Sequence, residues 1–187
     1  YFTTLCSIYN SYNNNFDDAE LMNSRPYCWD FEAYTSSGYP YSSSYPQWTV
    51  TQNNKLNGHT AIAVYNSYMT KNTVHSLYSP EIAVTENLML SFDYFNNCTN
   101  AVGTDDSLVV TIVSGNGVES APILVARAVD VNSNWASFIY DLTSYVDSTI
   151  RVKFWTRAYY MSTDQYIAID NFSVSCIEDG FDMYVTA

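Results

Sequence analysis

Apolar and polar residues alternate in short segments along most of the chain. The clearest example is 88–95, where Leu88, Leu90, Phe92 and Tyr94 occupy every second position and would share one face of a strand. Turn-forming residues separate such segments, and no long segment has the helical period of 3.6. The predicted strands are 48–51, 59–65, 77–84, 88–95, 108–113, 123–128, 135–140, 150–158 and 166–176. This spacing predicts an all-β sandwich or barrel.

Shorter elements complete this prediction. We expect one short strand before the asparagine run at 13–15 and another around Phe16, and one helical turn within 141–146. The tail at 177–187 contains a further alternating stretch after Gly180. We expect that stretch to pair within its own sheet, to pair with another subunit, or to lead into a following domain.

The segment Tyr166–Cys176 contains an irregular alternation. Ile167 and Ile169 lie on one face of an ideal strand, whereas Phe172 and Val174 lie on the other. A β-bulge between these pairs would return all four to one face, and bulges often redirect a side chain toward a functional site. The bulge would fall at Asp170 and Asn171. Asp170 is therefore predicted either to have a structural or metal-binding role or to reach solvent at a strand end.

The composition excludes several classes of protein. Of the 187 residues, 47% are hydrophobic and 17% aromatic, which is typical of one large folded domain and not of a disordered chain. The formal net charge is -12 with only seven Lys plus Arg, so nucleic acid and anionic membranes are poor partners. No apolar run approaches the roughly 20 residues that span a bilayer, which argues against membrane insertion.

The cysteines indicate an oxidising compartment. Cys6, Cys28, Cys98 and Cys176 form no C-x-x-C pair, and only two histidines are present, so a zinc site is not expected. The even number predicts two disulfides in an exported chain, and four buried thiols are the alternative. Because the chain begins at a tyrosine, we expect a mature or excised piece of a longer product.

No catalytic motif is present. The chain lacks H-E-x-x-H, G-x-S-x-G and a glycine-rich phosphate loop, and His59 and His75 have no catalytic residue near them in sequence. Nineteen acidic residues leave a carboxylate pair for glycoside hydrolysis open, but no motif selects two of them. We therefore expect a protein that is not an enzyme.

Aromatic residues concentrate in the irregular segment 34–48 and in a second loop near 159. Loops this long in a compact domain are often functional, and flat aromatic rings stack on sugar faces. Alternatively, these rings cover the open end of the sandwich. The candidate ligand-binding residues are Tyr39, Tyr41, Tyr45, Trp48, Tyr159 and Tyr160.

The order of several short motifs resembles one family of extracellular domains. The motifs are F-D-D at 16–18, P-Y-C-W at 26–29, 58–64, L-Y-S-P at 77–80, L-x-L-x-F-x-Y at 88–94, Trp135, V-x-F at 152–154 and I-A-I-D at 167–170. Together they resemble the MAM (meprin/neuropilin/receptor phosphatase mu) domain and its bacterial relatives, the choice-of-anchor J or cleaved-adhesin domains. The resemblance covers 16–176. It implies a jelly-roll β-sandwich of two antiparallel sheets that is secreted or surface-bound and serves adhesion.

The resemblance also implies a structural calcium ion. In the family an acidic residue of the first strand and the aspartate after the I-A-I run hold this ion, which corresponds here to Asp17 or Asp18 and to Asp170. Calcium prefers six to eight oxygen ligands. The family commonly has a second acidic residue where this chain has Asn171, whose amide oxygen brings less charge. A different alignment, through C-W-D-F-E at 28–32, would replace the first-strand ligand by Glu32.

Animal MAM domains pair early cysteines with early ones and late with late. By analogy, the resemblance implies the disulfides Cys6–Cys28 and Cys98–Cys176.

The sequence therefore predicts a non-enzymatic extracellular module that binds a cell-surface glycan or protein and is stabilised by calcium. It divides into an N-terminal segment 1–15, a jelly-roll domain 16–177 and a C-terminal strand or linker 178–187. The alternative is a structural subunit of a surface filament that self-associates by exchange of terminal strands.

Overall fold

Two antiparallel β-sheets pack face to face as a jelly-roll sandwich, as the sequence predicts. The computed structural model describes residues 6–18, 22–35, 37–38, 40, 48–65, 72–98, 105–131, 134–157 and 165–176. The strands are β1 Tyr12–Asn14, β2 Asp30–Tyr34, β3 Trp48–Gln52, β4 Thr60–Tyr65, β5 Val74–Tyr78, β6 Ile82–Val84, β7 Leu88–Asn96, β8 Leu108–Ser114, β9 Leu124–Ala126, β10 Ala136–Asp141, β11 Ser148–Arg157 and β12 Tyr166–Cys176. No helix among these residues is long and apolar enough to cross a membrane.

Each sheet contains six of these strands. Sheet I has the order β10-β7-β12-β4-β3, with β1 also paired to β12. Sheet II has the order β2-β5-β11-β8-β9, with β6 also paired to β11. One four-residue helix, Ala128–Val131, and short 3-10 turns at Asn54–Leu56 and Thr143–Tyr145 lie between strands. The last of these confirms the helical turn predicted within 141–146.

Aromatic side chains fill the space between the sheets. Trp29 lies 5.1 Å from Phe172 and 5.4 Å from Phe16, measured between ring centroids, and both contacts are edge-to-face. Phe154 of sheet II packs edge-on at 5.1 Å against Phe92 of sheet I. Edge-to-face contacts of this kind add about 0.5–1.5 kcal/mol per pair beyond the burial of apolar area. The core is therefore specified largely by ring geometry.

The predicted bulge is present in β12. The register of β12 against β7 shifts between Asp170 and Ser173, and Asn171 has a φ of 49°, in the left-handed region that asparagine tolerates better than most residues. As a result, Ile169 before the bulge and Phe172 after it both reach the central core. The irregular alternation in the sequence thus corresponds to a real break in the strand.

Two regions differ from the sequence-based strand assignments. The predicted strand 77–84 is divided into β5 and β6, because Ser79 turns its backbone toward Val152 of β11, with its N–H 2.9 Å from the Val152 carbonyl oxygen. At the N-terminus, β1 contains the asparagine run itself, and Phe16 is not in a strand because its φ is 57°. The prediction also missed β2, which directly precedes the irregular loop.

One of the two predicted disulfides is present. Cys6 is bonded to Cys28, whereas the buried Cys98 and the exposed Cys176 are not in disulfides. The predicted Cys98–Cys176 bond is wrong because Cys176 pairs in register with Leu88, ten residues before Cys98. At about 3.3 Å per strand residue this separates the two thiols by roughly 30 Å, whereas a disulfide requires Cα atoms within about 7 Å.

Candidate functional site

The bulge of β12 lies at a gap in sheet I. On one side of β12, strand β4 pairs with 166–169 and strand β1 pairs with 172–174, so the neighbouring strand changes at Asp170 and Asn171. A cavity of about 490 Å³ opens at this gap. Its lining residues come from the turn after β1, the β3–β4 hairpin and the bulge, and they are Asp17, Gln52, Asn57, Gly58, His59, Thr60, Asp170 and Asn171.

The turn after β1 places Asp17 at this cavity. The Asn14 side-chain oxygen accepts a hydrogen bond of 2.7 Å from the Phe16 backbone N–H, which favours the tight turn that ends the strand. Phe16 is fully buried in the aromatic core, so the chain cannot turn away from the sandwich at this point. Asp17 follows directly and lines the cavity, whereas Asp18 does not line it. The geometry therefore favours Asp17 over Asp18.

The β3–β4 hairpin supplies the opposite wall. Its turn begins at Asn53, whose side-chain oxygen caps the Asn54–Leu56 turn by accepting from the Lys55 backbone N–H at 2.8 Å. Asn57 and Gly58 both have positive φ, 57° and 83°, and they return the chain into β4. The Asn53 amide also donates a hydrogen bond of 2.9 Å to the hydroxyl of Tyr166 at the start of β12. The hairpin is thereby fixed against the strand that carries Asp170.

A small second apolar cluster explains why Asp170 is buried. Ala63 of β4, Phe95 of β7 and Ala168 of β12 belong to this cluster on the outer face of sheet I, and Trp135 packs against it. The His59 ring packs against Trp135 in a tilted contact with 4.9 Å between ring centroids. The outer face is therefore covered on one side of the bulge, and Asp170 is only 5% exposed although it points away from the central core.

The electrostatic environment of Asp170 is unfavourable to its negative charge. Burial raises the pKa of Asp170, and the nearby Asp17 carboxylate raises it further. Hydrogen bonds from the Asn171 backbone N–H, at 2.7 Å, and from His59 partly offset this increase. His59 Nδ1 lies 3.3 Å from Asp170 Oδ2. Two carboxylates thus share a gap in which the burial of charge is only partly compensated.

The donor set of the cavity fits a hard cation. Its lining residues include the carboxylates Asp17 and Asp170 and the amides Gln52 and Asn57, and carboxylate and amide oxygens are the ligand types that calcium prefers. Within the described ranges no cluster of three or more His, Cys, Asp or Glu residues is arranged to hold a metal ion. A cation at this site would therefore need amide, carbonyl or water oxygens in addition to the two carboxylates.

Of the two remaining ligand candidates, Asn171 lines the cavity and Glu32 does not. Asn171 lines the cavity, but its side-chain nitrogen donates 2.8 Å to Asp93 of β7, so only its oxygen is left to act as a ligand. Glu32 lies in β2 of sheet II and accepts a hydrogen bond of 2.9 Å from the Tyr78 hydroxyl. It belongs to the other sheet, so the alternative alignment that made Glu32 the first ligand is wrong.

Sequence reasoning identified Asp17, Asp170 and Asn171 and missed the other residues that line the cavity. His59, Gln52 and Asn57 come from a hairpin more than 100 residues before Asp170, and no local pattern connects them. The one available signal was the Asn57-Gly58 turn, which indicates a tight hairpin but not what lies opposite it.

The candidate ligand-binding residues fall into two groups. Tyr39, Tyr41, Tyr45, Tyr159 and Tyr160 lie outside the described residues. Trp48 is fully buried in the core beside Val50, and its indole Nε1 donates to the His75 carbonyl oxygen at 3.4 Å. Its predicted role in binding is wrong, because the alternation of β3 turns Trp48 and Val50 to the inner face together.

The chain is similar to several solved structures, and two of them, with TM-scores above 0.5, share its fold. The K2 cleaved adhesin domain of Lys-gingipain is 17% identical, with a TM-score of 0.52 over 89% of this chain and 99% of that chain. The K1 cleaved adhesin domain of Lys-gingipain from Porphyromonas gingivalis W83 is 13% identical, with a TM-score of 0.55 over 89% and 98%. The CBM22-1 xylan-binding domain of a Paenibacillus barcinonensis protein is 11% identical, with a TM-score of 0.49 over 91% and 96%.

No protein-family model matches the chain, and no curated protein matches it. At these identities the likeness to cleaved adhesin domains concerns the fold alone. It agrees with the jelly-roll fold that the resemblance implied, whereas the resemblance to the family itself stays a prediction.

Proposed function

We propose that the chain is a non-enzymatic extracellular module that binds a cell-surface glycan or protein and is stabilised by one calcium ion. The observation that carries the calcium part is the buried Asp170 carboxylate beside Asp17 in an oxygen-lined gap between β1 and β4. The adhesive part is supported by the fold shared with cleaved adhesin domains. The Cys6–Cys28 disulfide supports an oxidising, extracellular location.

Calcium would act here as a structural ion. It would supply positive charge beside the Asp170 carboxylate, which its burial and the neighbouring charge of Asp17 otherwise destabilise. Asp17 follows β1, Gln52 ends β3 and Asp170 lies in β12, so these residues would hold three separate strands to one point. The gap where β12 changes its neighbour would then be closed by ligand bonds instead of ladder hydrogen bonds.

The contacts of His59 and Asp170 favour a structural role over acid–base catalysis. The His59 ring packs against Trp135, and Asp170 Oδ1 accepts a hydrogen bond from the Asn171 backbone N–H. These two groups instead hold a strand bulge against a hairpin.

Calorimetric titration tests the calcium site. The folded chain, dialysed against EDTA and then against chelator-free buffer, should bind one calcium ion per molecule and bind magnesium much more weakly, because magnesium demands stricter octahedral geometry. Asp170→Asn should abolish the binding isotherm. Asp18→Asn is the matched control and should leave it unchanged. A wild-type chain that binds no calcium would contradict the proposal.

One observation favours the second candidate function, a self-associating surface subunit. Strand β10 is at the edge of sheet I among the described strands, and its Ile139 side chain is 66% exposed. An edge strand with an exposed apolar residue can accept a strand from another molecule. The segment expected to supply that strand, 178–187, lies outside the described residues.

A further inference from the structure

A second cavity lies at one end of the outer face of sheet II. Tyr34 of β2 pairs with Val74 of β5, and Val74 pairs with Arg157 of β11, so the three residues form one row across the sheet. Because neighbouring strands are about 4.8 Å apart, Tyr34 and Arg157 stand roughly 10 Å apart with Val74 between them. The cavity has a volume of about 410 Å³, and Asn72 also lines it.

The walls of this cavity combine apolar and polar groups in the way that a sugar requires. A pyranose ring has an apolar face of C–H groups and a rim of hydroxyls. Val74 offers an apolar floor and Tyr34 an aromatic wall, while Arg157 and Asn72 offer hydrogen-bond donors. Small-ligand sites typically combine an apolar lining with a few such polar groups in a space of about 300–1,000 Å³.

The charges on this face favour a neutral ligand. Three of the seven basic residues of the chain lie on β11, and each is paired with a carboxylate. The pairs are Arg151–Asp30 at 2.8 Å, Lys153–Glu119 at 2.8 Å and Arg157–Asp105 at 3.5 Å. Because these cations are neutralised and the chain has a net charge of -12, an anionic polysaccharide would be repelled.

The face continues from the cavity toward Trp155. Trp155 precedes Arg157 by two residues on the same face of β11, and it pairs with Ser76 on one side and Val109 on the other. Its indole Nε1 is buried and has no hydrogen-bond partner. A buried donor without a hydrogen bond is unfavourable. If the long side chains of β11 moved aside, a ligand oxygen could accept a hydrogen bond from this N–H, and that bond would stabilise the complex.

We infer that the cavity between Tyr34 and Arg157 binds a neutral glycan chain, with further sugar units lying along sheet II toward Trp155. This inference rests on the proposed binding function and names its ligand class and surface. The Asp170 cavity belongs to sheet I, so calcium and glycan would occupy separate sites.

Affinity electrophoresis of the full chain tests the inference, with a printed glycan array used to choose further neutral probes. Xylan and galactomannan serve as neutral polysaccharides, and polygalacturonate and heparin as anionic ones. At least one neutral probe should retard the protein, and neither anionic probe should. Tyr34→Ala and Arg157→Ala should weaken binding about tenfold or more, as truncation of a central contact residue typically does. Trp155→Phe, which keeps a ring but removes the N–H, should weaken it several-fold.

The matched controls are exposed residues that do not line this cavity. Arg127 has the same 47% side-chain exposure as Arg157 and is also paired with an aspartate, so Arg127→Ala should bind like wild type. Tyr27, 57% exposed in the turn before β2, is the control for Tyr34. Melting curves of every variant establish that it is folded before binding is compared.

Three results would overturn the inference: no binding to any neutral glycan on the array, binding to anionic probes only, or unchanged binding in folded Tyr34→Ala and Arg157→Ala. The calcium titration is run on the same protein. Calcium binding without glycan binding would leave the proposed function standing with a protein ligand. Glycan binding without calcium binding would remove the calcium part and leave this inference intact.

Discussion

His59 Nδ1 lies 3.3 Å from Asp170 Oδ2, although 111 residues separate the two along the chain. His59 is partly exposed, with 46% of its side-chain surface accessible, whereas Asp170 is buried. The imidazole therefore connects a buried carboxylate to the surface, at the point where β12 changes its neighbouring strand.

This contact predicts that His59→Ala destabilises the metal-free protein. Removing the imidazole takes a hydrogen-bond partner from Asp170 and raises its pKa further, because the His59 contacts lower that pKa in the wild type. We expect a loss of about 1–3 kcal/mol in the free energy of unfolding in EDTA, measured by urea denaturation at pH 7. His59→Gln can donate a hydrogen bond and should lose less. Equal losses in the two variants would show that the ring contact of His59 with Trp135 matters more than the hydrogen bond to Asp170.

Burial of His75 predicts weaker folding in mild acid. His75 is fully buried, and burial lowers its pKa from the ordinary value of 6.5 to about 4. Between those two values the unfolded state binds the proton and the folded state does not. The contribution of neutral His75 to the free energy of unfolding is therefore complete above about pH 6.5. It is lost as the pH falls toward 4, and the total loss is about 3 kcal/mol.

The measurement is the free energy of unfolding from pH 7.5 to 4.5 for wild type and for His75→Gln. The difference between the two proteins at each pH removes the contribution of Asp170, which both contain. The raised pKa of Asp170 has the opposite effect on stability, because the folded state binds that proton at a higher pH than the unfolded state does. A difference that does not change with pH would contradict the assignment.

The reactivity of the four cysteines tests which of the two expected disulfides is present. In the native protein N-ethylmaleimide should label the exposed Cys176, more slowly than an ordinary thiol because its hydrogen bond to Glu86 raises its pKa. Cys98 should be labelled only after unfolding, and Cys6 and Cys28 only after reduction. Cys6→Ser should lower the free energy of unfolding by about 3 kcal/mol through loss of loop closure. Cys176→Ser is the control and should change it little. A native chain with no reactive thiol would contradict the free state of Cys176.

Removal of the tail 178–187 tests the alternative that the protein self-associates by strand exchange. If 178–187 pairs with another molecule, the truncated chain 1–177 should remain folded, with an unchanged melting temperature, and should no longer assemble. Analytical ultracentrifugation of the intact and truncated chains compares their mass. An intact chain that is monomeric at all concentrations, or a truncated chain that unfolds, would rule out strand exchange. Ile139→Ser in β10 should reduce assembly only if that edge receives the strand.

Much of the fold follows from local pattern. Period-two alternation predicts most strands, and the break between Ile169 and Phe172 predicts the bulge, because a strand with one buried face cannot slip by one residue. The strand β2 was missed since only Phe31 and Ala33 alternate within its polar sequence. Ser79 divided a predicted strand because its side chain and backbone both bond to β11, a contact that no local sequence signal contains.

The site was predicted only in part, for a different reason. Asp170 and Asp17 were found from motifs, but His59 reaches Asp170 through the pairing of β4 with β12, and such register is a property of the whole sheet. Trp48 was assigned to a ligand surface because aromatic density in the sequence does not show which face of a strand is buried. Cys98 and Cys176 were paired by analogy, whereas the register of β12 on β7 places them at opposite ends of one strand pair.

The calcium site is tested most directly by thermal unfolding of the wild type, Asp170→Asn, Asp17→Asn and Asp18→Asn, each with saturating calcium and with EDTA. Calcium at one hundred times its Kd should stabilise the wild type by about 2.7 kcal/mol, which raises the melting temperature of a domain this size by roughly 5–10 °C. Asp18→Asn should keep this rise, while Asp17→Asn should lose most of it and Asp170→Asn all of it. In EDTA, Asp170→Asn should melt no lower than wild type, because it removes a buried charge. Identical wild-type curves in calcium and EDTA would contradict the account.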